Sequence, residues 1–352
     1  MRVVLLHGSN DNYGASRVLL DEVRVLVGLG YDVTVAVPTD GPLRNQCAHV
    51  GAQLIVDPTL IVLRKANLRD AIGIPKLPNY AQHADLIVIW TLAMAAYIPA
   101  LRIAKTRFYV SVHELQENII GKALCALLAR GSYPVVCCSK AVARWVRKEG
   151  VEAQRLYVTY PILDFEHPDR EPRSKPPSPI TVAVVGRLNG HKGHLDVLAA
   201  LKSPVLANVP IDLRLFGGPF PGQEYAAEEI RTAAIAEDRA RLMGEVPDMA
   251  EHLRDVDIVA CFPTKPEPFG LVPIEAWAAG ARSVGFNDGG AGEVLPSVGG
   301  IGFERGSSIA NCIALVIDNW DRLPDLPNHR EVSSQYSLAA RRDVLNRVLD
   351  AV

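Results

Sequence analysis

The fold of this chain can be read outward from RVVLLHGSNDNYGASRVLLDEVRVLVGLGYDVTVAVP, residues 2–38. Residues 2–8 form a continuous apolar run, as a strand buried on both faces of a parallel sheet requires. A glycine-containing loop follows, and from about Ser16 to Gly28 the residues Val18, Leu19, Val23, Leu26 and Val27 recur at helical spacing. Gly28 and Gly30 stop that helix, and YDVTVAVP (31–38) is a second strand. Strand, helix and strand make a βαβ unit, whose crossover is right-handed.

The alternation continues through DLIVIW, RFYVSVHE and YPVVCCS, and LYVTYPILD closes the first half. HPDREPRSKPPSP (167–179) then breaks every periodicity with five prolines and mixed charges, as an interdomain linker does. A second series starts at ITVAVVG (180–186) and runs through IDLRLFG, RLMGEV, DIVACFPT, RSVGF and GIGF. The expected fold class is α/β, with a Rossmann-like doubly wound domain over 1–166, the linker over 167–179 and a second such domain over 180–334. The last helix, 335–352, carries Leu338, Leu345, Val348, Leu349 and Val352 on one face. The two domains are expected to face each other across a cleft, where the carboxyl ends of the strands collect ligands.

At 352 residues the chain is long for one core, and 49% apolar against 22% charged residues is ordinary globular composition. The net charge of -2 is unevenly spread: residues 1–165 hold 18 Lys and Arg against 13 Asp and Glu, and the rest hold 19 against 26. So mild an excess points away from nucleic acid, while a slightly basic half suits an anionic ligand or an acidic membrane surface. The six cysteines show no Cys-x-x-Cys spacing and are expected as buried free thiols of a reducing cytosol. RVVLLHG is too short for a secretory signal. The longest uncharged run, LIVIWTLAMAAYIPAL (86–101), contains Pro99 and falls short of the roughly 20 residues of a membrane span. The expected location is the cytoplasm; peripheral contact of the first domain with the inner face of the membrane stays open, since ARWVRK (143–148) serves equally as a solvated helix.

Chemistry is expected at the strand ends. In GSNDNYGASR (8–17) free N–H groups at a helix start make an anion site and Gly14 lets backbone come close to a phosphate; a plain turn reads as well, and no Gly-x-Gly-x-x-Gly marks a dinucleotide fold. VVGRLNGHKGHLDVL (184–198) holds the same place in the second domain, with Arg187 and Lys192 around a glycine-rich turn, either as a phosphate grip or as solvated charge. His191 and His194 read as surface residues, without a third ligand at metal-site spacing. In PTKPEPFGLVPIEAWAAG (263–280) three prolines stiffen a loop that carries Glu267, and a fourth, Pro273, opens a helix whose first turn holds Glu275. Carboxylates accept pairs of hydroxyl hydrogen bonds and suit vicinal diols, although a helix-favouring Glu275 and a stray Glu267 explain this stretch taken alone. SVHE (111–114) sets His113 at another strand end, where a structural and a functional role weigh equally.

Taken in order, YGASRVLLDEVRVLVGLGYDVTV, SVHE, CSKAVARWV, VVGRLNGHKG, EPFGLVPIEAWAAG and NDGGAGEVL carry a resemblance that covers essentially the whole chain. The chain resembles the retaining glycosyltransferases of GT-B architecture with a Glu-x7-Glu motif, glycosyltransferase family 4. The resemblance implies that Arg187 and Lys192 take the donor diphosphate, Glu275 the ribose hydroxyls and Glu267 the hydroxyls of the transferred sugar. It further implies backbone contacts at Phe269, Gly270 and Leu271, approach of Gly14 to the diphosphate, His113 beside the sugar, and the base against 244–247, including Val246. Glu267, His113, Arg187 and Lys192 form the implied catalytic set, and the last helix is implied to cross back onto the first domain. Ala15 replaces a second glycine, Ser16 a common acidic residue, and Ala281-Arg282 a usual proline. None of these removes a carboxylate or cation that the chemistry needs, and Ser16 is given no role.

The function so implied moves a hexose-type sugar from a UDP- or GDP-sugar to a hydroxyl of a carbohydrate, glycolipid or small-molecule acceptor. Retention of configuration is implied, as is a place in cell-surface polysaccharide, glycolipid or glycoconjugate synthesis. Breaking a glycosyl phosphate bond develops negative charge on the leaving diphosphate, which Arg187, Lys192 and helix N-termini can stabilise. Neither a metal nor a cofactor is therefore expected beyond the donor, and no Asp-x-Asp is suited to hold a metal. The rivals are a catalytically silent partner subunit that only binds nucleotide sugar, and an epimerase or phosphorylase of the same fold. A dehydrogenase is disfavoured by the missing fingerprint.

Overall fold

The computed structural model describes residues 1–63, 73–162, 178–220, 222–246 and 249–352. The chain divides into two units, Met1–Asp164 with Ser333–Val352, and Phe165–Val332. Of the expected linker, 167–177 lie outside the described residues, as does Pro247 of the expected base-contacting loop.

The first unit contains a parallel sheet of seven strands: β1 (Arg2–His7), β2 (Asp32–Val37), β3 (Gln53–Val56), β4 (Leu86–Trp90), β5 (Phe108–Val112), β6 (Val135–Cys137) and β7 (Leu156–Val158). Their order is β3-β2-β1-β4-β5-β6-β7. The second unit contains β8 (Ile180–Val185), β9 (Ile211–Phe216), β10 (Ala240–Gly244), β11 (Ile258–Cys261), β12 (Arg282–Phe286) and β13 (Ile301–Phe303), in parallel order β10-β9-β8-β11-β12-β13. Every residue of β4 and of β8 is buried, so the unbroken apolar runs are strands covered on both faces. β3 joins the expected strands as an addition; at the sheet edge and half-buried, QLIV lacks the long apolar run of an interior strand. In each sheet the chain works outward to one edge and then returns to the other side. The order therefore reverses between β1 and β4 and again between β8 and β11, and it is at such switch points that loops part and leave a crevice.

The helix Gly14–Gly28 begins two residues before the expected Ser16 and lays Val18, Leu19, Val23 and Leu26 on the first sheet. The helix Leu338–Asp350 is capped by Ser337, whose Oγ accepts from the Ala340 N–H at 3.1 Å, and adds Leu345 and Val348 to the same core. Leu338, expected on that face, is 39% exposed, because it opens the helix before the turns that reach the core. A charged link joins the two helices. Arg341, 2% exposed, donates from Nε to Glu22 Oε2 at 2.9 Å and from Nη1 to the Tyr160 carbonyl at 2.8 Å, while the Tyr109 hydroxyl donates to Glu22 Oε1. Arg341→Met is expected to cost about 3–5 kcal/mol by leaving Glu22 unpaired in the core, with much of the loss recovered in Glu22→Leu/Arg341→Met; urea unfolding measures both. All six cysteines are free, five of them buried. Among the described residues, no helix is long and apolar enough to cross a membrane.

Candidate functional site

Two loops of the second unit meet at its switch point: 186–193 leaves β8 and 262–271 leaves β11. Backbone draws them together. Thr264 N–H donates to the His191 carbonyl at 3.0 Å, and a Cβ on Gly193, at φ +83°, would stand 2.2 Å from the Phe262 carbonyl oxygen. Only glycine meets both the conformation and the approach. Lys192 is thereby turned toward the end of β11, where its Nζ pairs with Glu267 Oε1; the two side chains are 26% and 19% exposed. The pair lines a small pocket, whose wall also includes Val185, Cys261, Gly270 and Pro273.

Glu275 lies in the first turn of the helix Val272–Ala278, with Pro273 at its start, and is 5% exposed. Burial, then Glu267, pushes the Cys261 thiol up, with Lys192 opposing and Glu275 adding. Glu267 lies in the loop that leaves β11 and Glu275 in the first turn of the helix that follows that loop. Gly270, at φ +100°, and the buried Phe269 connect the loop to Leu271, the residue before the helix. Arg187 lies with its Cζ 4.6 Å from the centroid of the Phe220 ring, a platform that restricts where the guanidinium points. Phe220, in the loop beyond β9, had no signal around Arg187 to announce it. Val246 packs half-buried against the apolar cluster that includes Phe216 and Val259.

The expectation that His194 is a surface residue is wrong. It opens the helix His194–Leu201, and with Gly193 pressed against the end of β11 its ring turns inward, 1% exposed, with Nε2 3.4 Å from the Phe216 carbonyl oxygen. His191 is exposed as expected.

In the first unit, Gly14 is the first residue of its helix, behind a turn closed by side chains. Asp11 Oδ1 accepts from the Ser16 hydroxyl at 2.7 Å and from the Tyr13 N–H at 3.0 Å, and His7 Nε2 lies 3.0 Å from Ser16 Oγ. Ser16, given no role by the sequence, is the centre of this network. His113 follows β5, its Nε2 2.9 Å from Ser111 Oγ and its ring centroid 4.4 Å from that of Trp90. Glu114 accepts from the backbone N–H groups of Leu92 at 2.9 Å and His113 at 3.0 Å, and burial raises its carboxyl to about 7 against those bonds. It thereby steadies the end of β4, where Thr91 holds φ +75°, strained for a β-branched residue.

Burial holds the imidazoles of His7 and His194 at about 4, below their ordinary 6.5, and with Arg341 and His7 it holds that of His113 at about 3. Depressed folded values mean that this stability is complete above pH 6.5 and is lost as pH falls toward 4, since the unfolded chain binds those protons first. Melting temperature is expected to fall between pH 6.5 and 4.5, and more shallowly in His194→Gln; equal slopes contradict the assignment.

Residues 13–167 match the family model Glycosyltransferase Family 4, and residues 179–319 match Glycosyl transferases group 1. Among curated proteins, the phosphatidylinositol N-acetylglucosaminyltransferase gpi3 subunit of Schizosaccharomyces pombe is 25% identical over 225 residues, 62% of this chain and 48% of that protein. The chain thus spans about half the length of that relative. Among solved structures, Anabaena HepE in complex with UDP and glucose is 19% identical, with a TM-score of 0.82 over all of both chains. The sucrose-phosphate synthase of Thermosynechococcus elongatus is 17% identical, with a TM-score of 0.73 over 99% of this chain and 98% of that one. With a Glycosyltransferase Family 4 domain over residues 13–167, a Glycosyl transferases group 1 domain over 179–319 and the fold of the GT-B structures above, the chain is built of two glycosyltransferase domains.

Proposed function

We propose that this glycosyltransferase moves a hexose-type sugar from a nucleotide-diphosphate sugar to a hydroxyl acceptor with retention of configuration, and that it acts in the cytoplasm in the synthesis of polysaccharide, glycolipid or another glycoconjugate. The observation that carries the reading is the Lys192–Glu267 pair beside the pocket at the β8/β11 switch point. An ammonium has three donors, so Lys192 can keep Glu267 and still take a phosphate oxygen. In that arrangement the cation meets the leaving diphosphate while the carboxylate meets the sugar hydroxyls. Arg187, on its Phe220 platform, adds a second cation where negative charge develops, and no step asks the protein to supply or remove a proton at that oxygen. Glu275, in the first turn of its helix, suits the two ribose hydroxyls. The acceptor then attacks on the face the diphosphate leaves, and the departing phosphate takes its proton.

UDP is favoured over GDP as the nucleotide by the HepE structures, which hold UDP and UDP-glucose, and a lipid-linked acceptor is in keeping with the gpi3 relative. A thermal-shift panel of UDP, GDP and ADP with their glucose and mannose derivatives tests the reading, because a ligand that binds only the folded state adds about 2.7 kcal/mol of stability at a hundred times its Kd and so raises the melting temperature. At least one nucleotide sugar is expected to shift the transition; a flat panel contradicts the proposal.

A further inference from the structure

We infer that Arg305 and Asp288 form a brace that sets the position of the Glu267 loop, and that both are positioning residues for the reaction; this rests on the reading of Glu267 as the carboxylate that meets the sugar. Asp288 follows β12 and Arg305 follows β13, so neither belongs to the strand that carries Glu267. The Arg305 fork holds both oxygens of Asp288, with Nη2 donating to Oδ1 at 2.9 Å and Nε to Oδ2, while Nη1 donates to the Pro263 carbonyl at 2.8 Å. Its Cζ stands 4.7 Å from the centroid of the Phe286 ring, which orients the fork's plane. The loop of Asp288 also grips the far end of the Glu267 segment. Gly290 N–H donates to the Glu267 carbonyl at 2.7 Å, and a Cβ on Gly290 would meet Phe269 Cα at 2.3 Å.

The Asp288 loop therefore holds the Glu267 segment at its far end, and the Arg305 guanidinium ties that loop to the start of the segment at Pro263. With side chains 31% and 28% exposed, the Arg305–Asp288 pair adds little to overall stability. Its contribution is directional, since a bidentate pair with a third bond to Pro263 specifies an angle as well as a distance. Displacing a substrate-contacting group by 1 Å can cost ~10²-fold in rate, so losing this brace should be felt at the sugar and spare the nucleoside.

Two readouts on Arg305→Ala, Arg305→Lys and Asp288→Asn test it. Hydrogen–deuterium exchange of peptides covering 262–271 reports the brace without any ligand, and is expected to be about 10-fold faster in Arg305→Ala and Asp288→Asn, with peptides from β8 and β9 unchanged. Arg305→Lys, which keeps the charge and loses the fork, should fall between. Kinetics with UDP-glucose, and with GDP-mannose as a second donor, should show kcat lowered about 10- to 100-fold with UDP or GDP affinity within about 2-fold of wild type. Unchanged exchange at 262–271 overturns the brace, as does faster exchange with undiminished kcat. A wild-type protein that takes neither donor overturns the reading of Glu267 instead, while the exchange rates still decide whether the brace exists.

Discussion

Glu267→Ala is expected to lower sugar transfer at least ~10²-fold through kcat, while affinity for the nucleoside diphosphate survives. The carboxylate sits in a loop stiffened by Pro263, Pro266 and Pro268 and bonded to its neighbour through the Glu267 carbonyl. Removing the side chain therefore leaves the backbone site standing. What disappears is the partner of Lys192 and the acceptor for the sugar hydroxyls. With its own partner gone, Lys192 is released to any phosphate, so nucleotide affinity should hold or rise. An enzyme still active as Glu267→Ala would overturn the assignment of Glu267, and steady-state kinetics beside a nucleotide titration separates the two effects.

Lys192→Ala and Arg187→Ala should each cost ~10²–10³ in kcat, because each removes a cation from the place where the diphosphate gains charge. The two differ in what they leave behind. Loss of Lys192 strands Glu267, only 19% exposed, so the variant should also melt at a lower temperature. Loss of Arg187 uncovers the face of Phe220 and leaves the Lys192–Glu267 pair in place. Arg187→Lys should rescue little, since a compact ammonium does not lie flat on a ring as a guanidinium does. The double variant Lys192→Ala/Glu267→Ala should lose less than the sum of its singles, because both break one contact. Additive losses would mean that the pair does not act as a unit.

The strands were open to sequence reading wherever burial on both faces wrote them as unbroken apolar runs, as in β1, β4 and β8. β3 escaped because one exposed and three half-buried residues at an edge leave no such mark. Strand ends could be expected from topology alone to gather loops, and at the β8/β11 switch point Lys192 does meet Glu267. Harder to see was whatever depends on partners distant in sequence. Glu22 and Arg341 are 319 residues apart, and each alone looks like a solvated charge on a helix. His194 was misplaced for a related reason: its burial follows from the approach of Gly193 to Phe262, which no local pattern records. Ser16 stood where the family resemblance gave no role, yet it ties Asp11 to His7 and closes the turn before Gly14. Glu114, within SVHE, carries no local mark of its role, because its task is to hold two backbone N–H groups that only the fold brings within reach.

The division of labour between the two carboxylates is tested most directly by calorimetric titration of UDP and UDP-glucose, with GDP and GDP-mannose as the second pair, into wild type, Glu267→Ala and Glu275→Ala. Hydrogen bonds to a charged group contribute ~1.5–3 kcal/mol, so Glu275→Ala should weaken nucleotide and nucleotide sugar alike by about 10- to 100-fold. Glu267→Ala should leave the nucleotide's affinity in place and remove only what the sugar adds. The opposite pattern, with nucleotide binding lost in Glu267→Ala and kept in Glu275→Ala, or no binding to wild type at all, would contradict the proposed site.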